Sequence, residues 1–206
     1  MRRGRVGGNT GPPACGAIRP LRPQAPPAPP VKGAQAVTHA NGIELRDVAL
    51  HRGGRTLLDA PGLTITERRV ALVGRNGSGK STLARVMKGL IRPDRGTVRV
   101  HGLDPAGRTR AALSVAGFLF QNSDHQILCP TVGEEIAFGL AAHGAPEAQA
   151  RAAALMATHG IADWHDRAVS TLSEGQRRLV CLLAILVMEP RVLLLDEPFA
   201  GLDIPT

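Results

Sequence analysis

Apolar positions along this chain change period several times. Residues Ile43-Glu44-Leu45-Arg46-Asp47-Val48-Ala49-Leu50 alternate enough for a half-buried strand, which Gly53-Gly54 ends. Leu63-Thr64-Ile65 predicts a short strand, 69–73 an apolar strand, 97–100 another short strand, and 114–120 a buried one. Residues 81–90 predict a helix that stops before Pro93. A helical middle follows. Residues 131–140 carry Glu134 and Glu135 in their first turn, where carboxylates suit the positive end of the helix dipole. Residues 146–159 are Ala-rich, start with Pro146 and precede Gly160. Ser173 precedes a helix over 174–188, ended by Pro190, and Val192-Leu193-Leu194-Leu195 is a continuous apolar strand. No repeat is visible. The pattern predicts an α/β fold: a strand layer first, then an α/β core, with a helical insertion at about 125–170.

The link between strand 69–73 and helix 81–90 is Gly74-Arg75-Asn76-Gly77-Ser78-Gly79-Lys80-Ser81, a full G-x-x-x-x-G-K-S loop followed by Thr82. In strand–loop–helix context this spacing predicts a triphosphate site. The glycines let successive backbone N–H groups converge on phosphate oxygens, and the helix N-terminus adds a favourable field. Lys80 brings a point charge to the β- and γ-phosphates, and the Ser81 hydroxyl can ligate Mg²⁺.

Two further motifs carry chemistry. Asp196-Glu197 closes the apolar strand at 192–195. A carboxylate there can hold Mg²⁺, and the pleat would turn Glu197 the other way, towards a water it could deprotonate. Leu172-Ser173-Glu174-Gly175-Gln176 reads as a capped helix start whose Gly175 allows an anion close to the backbone.

Composition then removes alternatives. The net charge is +8, but residues 1–43 hold six cations (Arg2, Arg3, Arg5, Arg19, Arg22, Lys32) and no acid, so only +2 belongs to residues 44–206. That segment also carries Pro12, Pro13, Pro20, Pro23, Pro26, Pro27, Pro29 and Pro30, and residues 1–42 are expected to be a disordered tail. None of the four Phe or the single Trp lies in it, so it offers no base-stacking platform and a nucleic-acid partner is not expected. Cys15, Cys129 and Cys181 form no C-x-x-C pair and fit neither a zinc site nor a disulfide framework. No apolar run reaches the roughly 18 residues of a membrane span.

In this order, the three motifs resemble those of ATP-binding-cassette (ABC) ATPases, over residues 43–206. The resemblance implies a P-loop NTPase core with N-terminal antiparallel strands and a helical subdomain. The cofactors implied are ATP and Mg²⁺. Gly74, Arg75, Asn76, Gly77, Ser78, Gly79, Lys80, Ser81 and Thr82 would bind nucleotide, and Ser81, Gln121 and Asp196 would hold the metal. Glu197 and Gln121 would be catalytic. Ser173, Glu174, Gly175 and Gln176 match the signature that acts on a second subunit's ATP, with Glu174 where the family usually has Gly. Asp203 looks like the D-loop acid. The family often stacks an aromatic on adenine; the equivalent spacing lands on Arg52, beside His51. The switch histidine of the family would follow Thr206, on a strand lying between the loop strand and the Asp196 strand. Without it a gap in the sheet, poor stability and little turnover are expected.

Gln121-Asn122-Ser123-Asp124-His125-Gln126 and Thr131-Val132-Gly133-Glu134-Glu135-Ile136-Ala137-Phe138-Gly139 narrow the resemblance to ATPases of energy-coupling-factor importers. Ser123 stands where that group usually has proline. Residues 66–69 and 198–206 look most like the biotin-transporter members, with cobalt or nickel as the alternative cargo. The implied partners are a second ATPase subunit, a transmembrane coupling subunit and a substrate-binding membrane subunit. The implied location is the cytoplasmic face of the membrane. The readings from other classes are a soluble ABC protein of nucleic-acid repair or translation and a nucleotide-binding module without turnover.

Overall fold

The structure, a computed structural model, describes residues 41–198. Most of the basic tail, and Asp203, lie outside the described residues. Strand β1 (Ile43–Arg52) is the middle of a three-stranded antiparallel sheet, flanked by β2 (Arg55–Ile65) and β3 (Arg95–Val100). The apolar phase slips inside β1: Ile43 and Leu45 are buried at odd positions, Val48 and Leu50 at even ones. Asp47 between them has φ 50°, and the ladder with β3 shifts register between Arg46 and Ala49. A strand of period two keeps one face buried across such a slip only by bulging. Gly96 of β3 sits against the bulge at φ +86°, where a Cβ would lie 2.3 Å from the carbonyl oxygens of Arg46 and Asp47.

Strand β2 extends well beyond the predicted 63–65. Pro61 falls between the Arg46–Gly62 and Val48–Ala60 pairs, beside the bulge and on the sheet's edge, where its missing N–H breaks no ladder. The strand expected over 114–120 starts later. Helix α2 (Arg110–Ser114) precedes it, capped by the Thr109 hydroxyl, which accepts from the Ala112 N–H at 3.2 Å. Strand β4 (Ala116–Leu119) then pairs in parallel with β5 (Val192–Leu195).

The strand expected over 69–73 does not form. Val70, Leu72 and Val73 are 52%, 40% and 92% exposed, and no strand is assigned to them. An extended segment becomes a strand only through a neighbour's hydrogen bonds. Among the described residues β5 pairs with β4 alone, and nothing is laddered to 69–73.

Helix α1 (Lys80–Lys88) packs Ala84, Val86 and Met87 into a core shared with β1, β3, Phe118 and Leu194. A second core joins α3 (Val132–Ala142), α4 (Ala148–Thr158) and α5 (Glu174–Leu186) through Ile136, Ala152, Met156 and Leu183. Capping boxes start α3 (Thr131 with Glu134) and α5 (Ser173 with Gln176), each satisfying two otherwise orphaned backbone donors. Cys181 and Ile185 on α5 meet Leu119 at the end of β4, so α5 touches the parallel strands as well as the helices.

Gly96→Ala must both adopt a left-handed backbone and displace the β1 bulge. Left-handed strain of about 1–2 kcal/mol and overpacking of about 1–3 kcal/mol are expected to add, as read by urea unfolding. An unchanged midpoint would contradict the bulge.

Candidate functional site

The parallel register of β4 and β5 decides what meets at their ends. Leu119 pairs with Leu195, so Gln121 and Glu197, each two residues further on, come opposite one another. Gln121 Nε2 donates to Glu197 Oε2 at 2.6 Å. Asp196, 7% exposed, is fixed by its own N–H donating to the Leu119 carbonyl at 3.0 Å. Its Oδ1 accepts from Ser81 Oγ at 2.8 Å, across 115 positions of sequence. The ends of both strands and the start of α1 are thereby brought to one place. Glu197 does not owe its direction to the pleat, as the sequence suggested. Strand β5 stops at Leu195, and Glu197 has φ 50°, so a left-handed turn aims the side chain.

The glycine-rich loop leads directly into α1. Gly79 is the N-cap at φ +89°, and no side chain caps the helix. Its first N–H groups therefore find no side-chain acceptor, the arrangement that receives an anion. Lys80 Nζ donates to the carbonyls of Gly74 at 2.8 Å and Arg75 at 3.0 Å, which folds the lysine over the loop. A groove of ≈ 390 Å³ is lined by Asn76, Gly77, Ser78, Gly79, Lys80, Ser81, Thr82 and Glu197, with Thr56 and Leu57 of β2. The two β2 residues escaped sequence reasoning because nothing in the pattern extended that strand to them. Their closeness is tight: a Cβ on Gly79 would lie 2.9 Å from the Leu57 carbonyl oxygen.

His51 and Arg52 do not line the groove. The His51 N–H donates to Asp94 Oδ2 at 2.6 Å, and Arg52 NH1 reaches Oδ1 at 3.2 Å. The Asp94 carboxyl is held below the usual carboxylate range, foremost by that backbone N–H, with Arg52 adding to it. The stacking position suggested by sequence spacing is thus occupied by an ion pair at the tip of the β1–β2 hairpin.

Ser173 and Gln176 cap each other: the Gln176 N–H donates to Ser173 Oγ at 3.3 Å, and Gln176 Oε1 accepts from the Ser173 N–H at 3.0 Å. Residues 173–176 are not part of the groove's lining. Instead the first turns of α5 hold the segment after β4. Ser123 Oγ donates to Glu174 Oε1 at 2.9 Å, and Arg178 NH2 to the Gln121 carbonyl at 2.6 Å. The Glu174 carboxyl is kept below its ordinary range by the Arg177 hydrogen bond first and by Ser123 next. Burial pushes the Cys181 thiol up to about 12, so it stays a protonated, inert packing group.

A Gly-rich anion cradle with a lysine, followed by a hydroxyl bonded to a strand-end aspartate, defines a P-loop nucleotide-binding protein. Ser81 and Asp196 present hard oxygen donors side by side, a set that fits Mg²⁺. Residues 62–200 match the family described as ABC transporter. The chain is 51% identical over 166 residues to the biotin transport ATP-binding protein BioM of Rhodobacter capsulatus, covering 80% of this chain and 71% of that one. It is 40% identical to the energy-coupling factor transporter ATP-binding protein EcfA of Methanoculleus marisnigri, covering 78% and 60%. Among solved structures, cbiO1 of Clostridium perfringens, described as part of the ABC transporter complex cbiONQ, superposes with TM-score 0.66 at 30% identity. That match covers 78% of this chain and 67% of the other. The chain belongs to the ABC transporter family, as an ATP-binding, ATP-hydrolysing component. Among the described residues no helix is long and apolar enough to cross a membrane.

Gly79→Ala tests the cradle. A side chain at φ +89° costs about 1–2 kcal/mol and collides with Leu57, so ATP affinity should fall about tenfold or more in equilibrium binding. Unchanged affinity would mean that the loop is not what receives the nucleotide.

Proposed function

We propose that this chain is the ATPase subunit of an energy-coupling-factor type importer whose cargo is biotin. The geometric observation that carries the ATPase reading is the Ser81–Asp196 hydrogen bond, with the Gln121–Glu197 pair beside it. The cargo reading is supported by the 51% identity to a biotin transport ATP-binding protein.

In this reading the N–H groups of residues 74–82 and the Lys80 ammonium take the phosphates. Lys80 exchanges the loop carbonyls it now holds for phosphate oxygens, so binding opens no new charge to the interior. Ser81, Asp196 and Gln121 would hold Mg²⁺, whose charge would offset that of the phosphates. Glu197 accepts a proton from the attacking water, and Gln121 fixes the direction of its carboxylate. Phosphoryl transfer needs positioning and charge neutralisation more than covalent chemistry, and every group named serves one of the two.

Ser173, Glu174, Gly175 and Gln176 complete the site of a second ATPase subunit, which agrees with their position outside this chain's own groove. Asp203 serves the same interface. Residues 43–206 form the cassette and 1–42 a tail outside it. The chain works peripherally on the cytoplasmic side, with a transmembrane coupling subunit and a substrate-binding membrane subunit.

Lys80→Ala should abolish ATP binding. Glu197→Gln should bind ATP normally and lose about 10²–10⁴-fold in turnover, the usual weight of a general base. Turnover kept by Glu197→Gln in the assembled transporter would remove that carboxylate from the mechanism. For the cargo, cells lacking the protein should lose uptake of labelled biotin, regained with the wild type and not with Lys80→Ala. Loss of cobalt or nickel uptake instead would assign the metal-ion cargo.

A further inference from the structure

Ser123, in the segment after β4, and Glu174, in the first turn of α5, lie 51 positions apart in sequence. The two side chains meet. Ser123, 1% exposed, donates its hydroxyl to Glu174 Oε1 at 2.9 Å.

The contact is the centre of a larger attachment. Glu174 Oε2 accepts from Arg177 NH2 at 2.8 Å, and Arg177 Nε lies 3.9 Å from Asp124 Oδ1. Arg178 NH2 holds the Gln121 carbonyl at 2.6 Å. Gln126 Nε2 donates to the Cys181 carbonyl at 3.1 Å. Within six residues, 121–126, the segment after β4 is bound to α5 at four points. Its other end is the Gln121 side chain on Glu197.

We propose that Ser123 and Glu174 are a positioning pair that locks the Gln121 segment to the signature turn, so that the two move as one body. The proposal rests on the ATPase reading above. Gln121 then serves its own subunit's Glu197, while Ser173, one residue before Glu174, serves the partner's nucleotide. A shift of α5 that withdraws the signature also pulls Gln121 from Glu197. Hydrolysis is thereby tied to closure of the ATPase pair. A hydrogen bond to a carboxylate is the strong kind, and losing the Glu174 carboxylate takes this acceptor from the buried Ser123 hydroxyl.

The test is a double-mutant cycle on ATP turnover by the assembled transporter in lipid vesicles, with Ser123→Ala, Glu174→Ala and the double variant. Ser123→Ala removes one oxygen and keeps the shape. Each single variant is expected to lower kcat about three- to tenfold, with KM for ATP within about twofold, and the double variant to be no worse than the poorer single. Multiplying effects would overturn the pair. So would single variants with unchanged kcat and only a lower unfolding midpoint, since that is what a merely structural bond would show. Lys80→Ala runs as the control for the underlying reading. If Lys80→Ala still turns over ATP, the ATPase reading fails and the proposal falls with it. If Lys80→Ala is dead and the cycle is additive, only the pair is refuted.

Discussion

The hydrogen bond from Ser81 to Asp196 is the constraint on which the rest of the site depends. It ties the first turn of α1 to the end of β5, and hence the phosphate-binding loop to the parallel strands. Neither partner could be placed alone. Ser81 is set by the glycine-capped start of α1, which packs its other face on β1, β3 and Phe118. Asp196 is set by the β4–β5 register and by its N–H on Leu119. A buried carboxylate needs such a partner, because one left unpaired in a low-dielectric place is costly. The bond therefore serves the fold, and the same two oxygens present a metal-ready pair beside the loop.

Much of this was legible in the sequence, and the reasons are specific. The loop spells out its chemistry because glycine takes φ +78° at Gly77 and +89° at Gly79 without the strain a side chain would bring. The Ser173 cap and the β5 run were equally plain, since a cap and an apolar strand are local properties. What failed was non-local. The 69–73 segment has a strand's composition, but a strand is a relation between two chains of backbone, and no described neighbour is laddered to it. Thr56 and Leu57 were missed because their place on the groove comes from sheet packing alone. Glu197 is aimed by a left-handed turn, where the pleat was expected to turn it. The pairing of Arg52 with Asp94, 42 positions away, is a tertiary contact that no local pattern announces.

The helical part is linked to the parallel strands mostly through α5. That helix contributes Val180 and Leu183 to the core of α3 and α4, and Cys181 and Ile185 to the contact with Leu119. Its first turns carry the polar attachments to 121–126. A helix bound apolarly on one side and through directional hydrogen bonds on the other transmits displacement, because packed interiors resist compression and charged hydrogen bonds resist shear. Changes on the α3 side thus have a physical route to Gln121 and Glu197, through contacts that can each be removed singly.

The central claim is that Ser81 and Asp196 together hold the metal of a bound nucleotide. The most direct measurement is the affinity of the protein for ATP with and without Mg²⁺, in the wild type and in Ser81→Ala. The account predicts that Mg²⁺ tightens ATP binding by the wild type and that Ser81→Ala loses most of that gain while still binding ATP alone. An equal Mg²⁺ effect in both proteins would contradict it.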